Sequence, residues 1–264
     1  MEHYTALSPY LKRRFGCKVY KLSLSAGCTC PNRDGTLGAR GCIFCSGSGE
    51  FAASGSASIP EQLEQAKYIL GKKAQGAKFI AYFQDFTNTY GTVSRLEPLF
   101  LAAIEAGDVV ALSIATRPDC LPEDILRMLS RLRARKPVFV ELGLQTIHDN
   151  TAQYIRRGYP LSVFDDAVQK LHALDIEVIA HQILGLPGET AVMMSETSRY
   201  LGSVHVDGVK LHLLHVLRGT DLAREYADGR IQMLELDTYI DILEQCLAVL
   251  PPDVVIHRLT GDGA

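Results

Sequence analysis

Residues 109–144 read VVALSIATRPDCLPEDILRMLSRLRARKPVFVELGL. The opening run, Val109 to Ala115, is apolar apart from Ser113 and predicts a strand buried on both faces. Pro122–Arg133 carries proline in its first turn and places Ile125, Leu129 and Leu132 on one face, the pattern of an amphipathic helix. Val138–Leu144 is again apolar and predicts a second strand. Successive parallel strands need a crossover, and a helix of this length supplies one. The stretch is therefore a βαβ unit, and burial of both strand faces means a parallel sheet covered by helices.

The same alternation runs in both directions. Upstream, Val19–Leu24 and Lys78–Phe83 predict strands. Glu61–Ala74 predicts a helix opened by a Ser58/Glu61 capping box, and Arg95–Ala106 one opened by Ser94/Glu97, with Leu96, Leu99, Phe100, Ala103 and Ile104 facing inward. Downstream, Glu177–Ile183 and Gly208–Leu213 predict strands. Ser162–Leu174, Ala191–Leu201 and Asp237–Leu250 predict helices, and Val254–Ile256 a further strand. Six consecutive βα units fit an open doubly wound sheet or a partial barrel, and the pattern alone does not separate the two. In either, ligands sit at the carboxyl ends of the strands. Those ends carry a cysteine-rich loop, then Gln84, Asp85, Thr87 and Asn88, then Thr116 and Arg117, then Gln145. The last two carry His181, Gln182 and the turn Gly185-Leu186-Pro187-Gly188, then Lys210, His212 and His215.

Composition narrows the class. The 264 residues hold 27 Lys+Arg and 30 Asp+Glu, a net charge of −3, with 47% apolar and 22% charged residues. This is the balance of a folded globular protein, and it excludes one that coats nucleic acid by bulk charge. No apolar run approaches the roughly 20 residues of a membrane helix, and the start, MEHYTALSPYLKRRFG, is no signal peptide. A cytoplasmic protein with no membrane partner is the expectation.

Of seven cysteines, Cys17, Cys120 and Cys246 are scattered, whereas Cys28, Cys30, Cys42 and Cys45 fall in one loop. Glycines 27, 35, 38, 41, 47 and 49 let that loop wrap closely around a bound group. Two chemistries compete. All four thiols would suit a structural zinc ion, although Cys28 and Cys30 stand closer in sequence than zinc ligands usually do. Three thiols with the Cys42-x-x-Cys45 spacing would suit an iron–sulfur cluster with one iron left open, since ferredoxin-type clusters take four.

The stretch Thr29-Cys30-Pro31-Asn32-Arg33-Asp34-Gly35-Thr36, followed by Gly41-Cys42-Ile43-Phe44-Cys45, resembles radical SAM enzymes of the YhcC/YtqA type. The resemblance continues through 113–120, Glu141-Leu-Gly-Leu-Gln-Thr146, 181–189, Lys210-Leu-His212 and 255–262, in order and at strand ends. It implies a partial (β/α)6 barrel over residues 19–250, after an N-terminal extension of 1–18. Residues 251–264 would begin a C-terminal accessory region that is truncated or absent. It further implies a 4Fe–4S cluster on Cys30, Cys42 and Cys45, with Cys28 a bystander. The cluster's open iron would hold S-adenosylmethionine (SAM), cleaved by one electron to methionine and a 5′-deoxyadenosyl radical. An external donor of the flavodoxin or ferredoxin type would supply that electron.

Cofactor contacts follow from the similar coproporphyrinogen dehydrogenase group. Gln145 occupies the position of a family glutamine, Arg157 that of a partner for the methionine carboxylate, and His181 that of an aspartate. Gln84 stands in a loop that is usually Gly-Gly-rich and is the candidate partner of the methionine amino group. Gly185 and Leu186 belong to the shared Gly-Leu-Pro-Gly turn. Arg117 and Glu141 fit either cofactor contacts or internal ion pairs. Lys210, His212, His215, His257 and Arg258, at late strand ends, would suit an anionic substrate. The family, like the related Elongator catalytic subunit, implies tRNA as substrate: carboxymethylaminomethyluridine at the wobble position would become aminomethyluridine. Basic segments at Lys12-Arg13-Arg14, Lys72-Lys73, 131–136 and Arg156-Arg157 fit contact with RNA. A small metabolite as substrate, or a zinc-stabilised barrel that only binds, are the alternatives.

Overall fold

The computed structural model describes residues 4–46 and 57–260. Gly47, Gly49 and the end of the 255–262 motif lie outside the described residues, as do the last four positions of 251–264. Along the chain the elements are β1 (Thr5–Ala6), α1 (Leu7–Phe15), β2 (Val19–Leu24), α2 (Ile59–Leu70), β3 (Lys78–Phe83), α3 (Val93–Ile104), β4 (Val109–Thr116) and α4 (Glu123–Arg133). They continue as β5 (Val138–Gln145), α5 (Asp149–Tyr154), α6 (Leu161–His172), β6 (Glu177–Leu184), α7 (Ala191–Ser203), β7 (Gly208–Leu213), α8 (Asp221–Ala227), α9 (Leu236–Val249) and β8 (Val255–Arg258).

The strands form one sheet in the order β1-β8-β7-β6-β5-β4-β3-β2, parallel at every pairing. The six strands of the sequence pattern are its contiguous part, and β8 and β1 extend it beyond β7. The sheet curls into the open partial barrel that the resemblance implies. Its free edges are β1 and β2. Across that seam the Lys21 side chain on β2 reaches β8, with Nζ 3.4 Å from His257 Nδ1.

Alternation of side chains along the strands sorts residues between two faces. Ala81 and Phe83 of β3, Val140 and Leu142 of β5, and Val209 and Leu211 of β7 point outward into one core with the helices. Phe83 meets Phe100 of α3 edge-to-face there, with ring centroids 4.8 Å apart. The inner face is layered. Ile80, Ala111, Phe139 and Ile179 form an apolar floor that Leu11 of α1 seals from below. Two residues further along the same strands stand Tyr82, Ser113, Glu141 and His181, a polar layer. Two further again stand Gln84, Ala115 and Gly143, which line a cavity.

Two local expectations change. The Ser58/Glu61 box is present, with the Ser58 N–H donating to Glu61 Oε2 at 2.8 Å, but its helix ends at Leu70 and a short 3₁₀ turn follows. The Ser94/Glu97 box is not made: α3 starts at Val93 with Thr92 as its N-cap residue. Arg131 of α4 binds both oxygens of Glu97 at 2.8 Å, so that carboxylate is not available to the helix start. Residues 4–15, part of the segment set apart as an extension, supply β1 and α1.

Candidate active site

The cysteine loop leaves β2 and is tied down at several points. Gln62 of α2 is fully buried and grips the loop entrance, accepting from Ser25 N–H at 2.8 Å and donating to Ser25 O at 3.1 Å. Within the loop, Cys30 O accepts from Arg33 N–H at 2.8 Å and Asn32 O from Gly41 N–H at 2.7 Å. Gly41 holds φ +72°, and a Cβ there would stand 3.0 Å from the Arg33 guanidinium, so the turn needs glycine. The Arg33 guanidinium donates to Cys45 O at 2.6 Å. Buried Asn32 donates to Arg156 O at 2.7 Å and lies 3.5 Å from Cys42 Sγ. The loop's far end meets α8, where Leu222 N–H donates to Ile43 O at 2.9 Å.

These ties bring Cys30, Cys42 and Cys45 to the wall of one cavity of about 230 Å³. Burial pushes the Cys42 thiol up to about 11, so a metal bound there must displace its proton. Cys28 does not line this cavity. It is buried on the helix side, where Arg95 Nη1 lies 3.4 Å from its sulfur. Among the described residues no group of three or more His, Cys, Asp or Glu side chains is disposed to hold a single metal ion. Three thiols around one cavity, with the fourth turned away, fit a polynuclear cluster rather than a zinc tetrahedron.

Gln84, Arg117, Glu141, Gln145, Arg157 and His181 line the same cavity. Gly185 and Leu186 do not. Gly185, at φ +87°, packs against Leu234, and Leu186 joins Ile43, Ile155, Leu214 and Leu222 in an apolar cluster behind the cysteine loop. None of Lys210, His212, His215, His257 and Arg258 lines the cavity. Lys210 and His212 share the inner face of β7, since Val209 and Leu211 face the helices. Gln145 holds φ +69° beside a register shift at Gly143, and a Cβ on Gly143 would sit 2.8 Å from Gln145 Nε2. Strain of this kind in a non-glycine residue collects at functional sites, and Phe86 and Arg156 show it at the same rim, at φ 57° and 58°.

The two arginines differ. Arg117 is neutralised by a fork onto Asp119, at 2.9 and 2.7 Å. Arg157 is 2% exposed and meets only backbone carbonyls: Tyr159 O at 3.0 Å, Leu144 O at 3.3 Å and Thr146 O at 2.5 Å. Its Nη2 is buried with no hydrogen-bond partner among the described residues. Both guanidiniums lie over the Tyr159 ring, 5.0 and 4.9 Å from its centroid, and the Tyr159 hydroxyl donates to Gly143 O. Burial lowers the Arg157 pKa from its usual value. A buried cation with a spare N–H and no counter-ion is a seat for an anion.

Below the cavity the polar layer centres on Glu141, which is 1% exposed. Its carboxylate accepts from Ser113 Oγ at 2.6 Å, Lys21 Nζ at 2.6 Å, His181 Nε2 at 2.8 Å and Lys210 Nζ. Lys210 also donates to the Tyr82 hydroxyl at 3.0 Å. Burial works against Glu141's charge, but Lys21 and Lys210 overcome it and hold the pKa well below the usual carboxylate range. Two ammoniums face one carboxylate, and burial pushes the deeper Lys210 down to about 7. Burial likewise pushes His181 down to about 4, so its ring is neutral at pH 7. A carboxylate only accepts, so Nε2 carries the proton and Nδ1 is left as an acceptor. The folded-state pKa of His181 lies below its unfolded value of 6.5, so the unfolded chain takes the proton first. The associated stability is complete above about pH 6.5 and lost as pH falls toward 4. Urea unfolding across that range is expected to show this slope in the wild type and a shallower one in His181→Asn; equal slopes would show that His181 titrates normally.

Sequence reasoning missed Asn32, Gln62 and Tyr159 as supports of the site, and α8 as an element. Asn32 stood within the quoted motif, but only the fold shows that it joins the cysteine loop to Arg156.

The sequence profile of the Radical SAM superfamily matches residues 33–201, and that of the Radical SAM C-terminal domain matches residues 206–264. YtqA of Bacillus subtilis (strain 168) is 42% identical over 264 residues, covering 99% of this chain and 82% of that protein. The tRNA uridine(34) acetyltransferase of Dehalococcoides mccartyi (strain CBDB1) is 31% identical over 161 residues, 58% of this chain and 33% of that protein. Among solved structures, Elp3 of Methanocaldococcus infernus with an N-terminal deletion matches with a TM-score of 0.69 at 19% identity, over 93% of this chain and 57% of that chain. At that identity the likeness is one of fold.

Proposed function

Because this chain belongs to the radical SAM superfamily, we propose that it binds a 4Fe–4S cluster and SAM in the cavity described above and acts on the side chain of the tRNA wobble uridine. Members of the family use both cofactors. When bound, the cluster supplies the electron that splits SAM into methionine and the 5′-deoxyadenosyl radical, which takes hydrogen from the substrate.

In this reading the chain's own residues place and shield the reactants. Cys30, Cys42 and Cys45 hold the cluster and leave one iron open. Asn32, 3.5 Å from Cys42 Sγ, supports that ligand from outside the metal's own shell. The spare N–H of Arg157 takes the methionine carboxylate, and Gln84 takes the amino group. His181 offers Nδ1 to a ribose hydroxyl, with its tautomer set by Glu141. Gln145 closes the strand end beside them, and Arg117, paired with Asp119, keeps Tyr159 in place under Arg157. Phe44, Phe86 and Ile155 give the cavity apolar walls that keep water from a reactive intermediate. The observation that carries the reading is the meeting of three thiols and an unneutralised arginine on one cavity wall.

The uridine reading is supported by similarity to a tRNA uridine(34) acetyltransferase over 58% of the chain. In this reading the 5′-deoxyadenosyl radical would take a hydrogen atom from the CH2 of the substrate's carboxymethyl group, one further electron would pass back to the oxidised cluster to give an imine, and water would hydrolyse that imine to aminomethyluridine and glyoxylate; the first electron would come from a flavodoxin- or ferredoxin-type donor. The test supplies anaerobically reconstituted protein with SAM, reductant and tRNA carrying the carboxymethylaminomethyl group. That tRNA is expected to raise the yield of 5′-deoxyadenosine and to be recovered with aminomethyluridine. A yield raised by a small metabolite and indifferent to tRNA would overturn the uridine reading.

A further inference from the structure

Three of the four basic segments lie at the wrong end of the barrel to serve the cavity. Lys12, Arg13 and Arg14 close α1 ahead of β2, Lys72 and Lys73 stand ahead of β3, and 131–136 closes α4 ahead of β5. All sit where strands begin, whereas the cavity lies where they end. Several are also engaged: Arg14 with Glu177 at 2.5 Å, Arg131 with Glu97 at 2.8 Å and Arg135 with Glu105 at 2.7 Å. Arg133 and Lys136 bind backbone carbonyls at 2.9 and 2.7 Å.

At the strand-end face, next to the cysteine loop, the fold gathers arginines from separate parts of the chain, none of which lines the cavity itself. Arg40 comes from the cysteine loop, Arg156 from the segment after α5, and Arg224 from α8. All three pair with one carboxylate, Asp221, at 3.4, 2.6 and 3.1 Å. Three guanidiniums on a single carboxylate leave an excess of two positive charges. The Arg40 and Arg224 side chains are 69% and 71% exposed, so they can turn to a second anion without unfolding anything. The group is fixed to the cavity. Arg156 Nη1 donates to Gly41 O at 3.4 Å, its own carbonyl accepts from Asn32, and α8 is bonded to the cysteine loop through Leu222. Two aromatic rings stand exposed on the helices involved, Tyr154 at the end of α5 and Tyr226 in α8. Of the neighbouring acids, Asp228 pairs with Arg230, whereas Glu225 accepts from the Tyr154 hydroxyl and keeps its charge, so the patch as a whole carries an excess of one positive charge.

We propose that Arg40, Arg156 and Arg224, gathered on Asp221 next to the cysteine loop, form the docking site for the phosphate backbone of an RNA substrate. Tyr154 and Tyr226 offer stacking faces to its unpaired bases. Guanidinium forks match phosphate oxygens, and single-stranded RNA is read by stacking, so the residue types suit this partner. The inference rests on the tRNA reading above.

The test measures binding of an unmodified tRNA transcript to the cluster-loaded protein between about 50 and 200 mM salt. Wild-type affinity is expected to fall as salt rises. The Arg40→Glu/Arg224→Glu variant is expected to bind at least about tenfold more weakly, with a salt slope shallower by about one for each phosphate it no longer neutralises. Both positions are exposed, so its melting temperature is expected to match the wild type, and the corresponding double alanine variant guards against any misfolding of the reversal. Lys72→Glu/Lys73→Glu, at the opposite end, is expected to bind as the wild type does. If the opposite-end variant loses RNA and the Arg40/Arg224 variant does not, the docking site proposed here is wrong while the tRNA reading stands. If the wild type shows no salt-dependent binding, both fall.

Discussion

Glu141→Leu is expected to lose about 3–5 kcal/mol of stability, the cost of leaving buried charge unpaired. The carboxylate is 1% exposed and is the acidic partner of both Lys21 and Lys210. Removing it strands two ammoniums in the interior of the sheet, above an apolar floor. For a domain of this size the melting temperature is expected to drop by roughly 10 °C. The loss is larger at pH 6 than at pH 9, because Lys210, already pushed down to about 7, can shed its proton at the higher pH. Adding Lys21→Met and Lys210→Met to Glu141→Leu is expected to restore much of the stability, since replacing a whole buried charge group by apolar side chains is often neutral. Thermal melts of the two variants decide it. A single variant as stable as the wild type would mean that water or rearrangement reaches this layer.

Cys42→Ala is expected to abolish 5′-deoxyadenosine formation and the brown absorption of the reconstituted protein. Loss of a supporting residue costs a metal site about 10–100-fold, and loss of a ligand costs more. Cys28→Ala is the matched control. Its thiol lies on the helix side against Arg95, so iron content and SAM cleavage are expected to be retained. Equal loss of iron in both variants would bring back the four-thiol site; full activity in Cys42→Ala would remove the cluster assignment from the loop.

The strands of the barrel could be read because each apolar run is followed by a helix with one apolar face, as in 109–144. Part of the rim followed from the same pattern, since a strand end is one position in both sequence and space: Gln84, Arg117, Gln145 and His181 line the cavity, whereas Gly185, Leu186, Lys210, His212 and His215 do not. Other parts could not be read. β1 is two residues long, and α1 shows only Leu7, Leu11 and Phe15 as a narrow stripe among basic residues. α8 is seven residues of mixed charge. Glu141 could be read as a cofactor contact or an internal ion pair, but its partners come from β2, β4, β6 and β7, and only the register between strands brings them together. Arg157 and Arg117 looked alike in sequence. What separates them is Asp119 beside one and nothing but carbonyl oxygens around the other.

The seam between β2 and β8 has a bearing on what holds the barrel's two margins together. No strand pairing crosses it among the described residues, and Lys21 spans it by side chain alone. Beneath, α1 packs against both β2 and β8 and holds the two margins together at the base. The two margins are thus packed against one helix at the base and, among the described residues, bridged across the seam by side chains and not by strand pairing. Parting the two margins along this line breaks no strand-to-strand hydrogen bond among the described residues, so the sheet's own pairings do not oppose it.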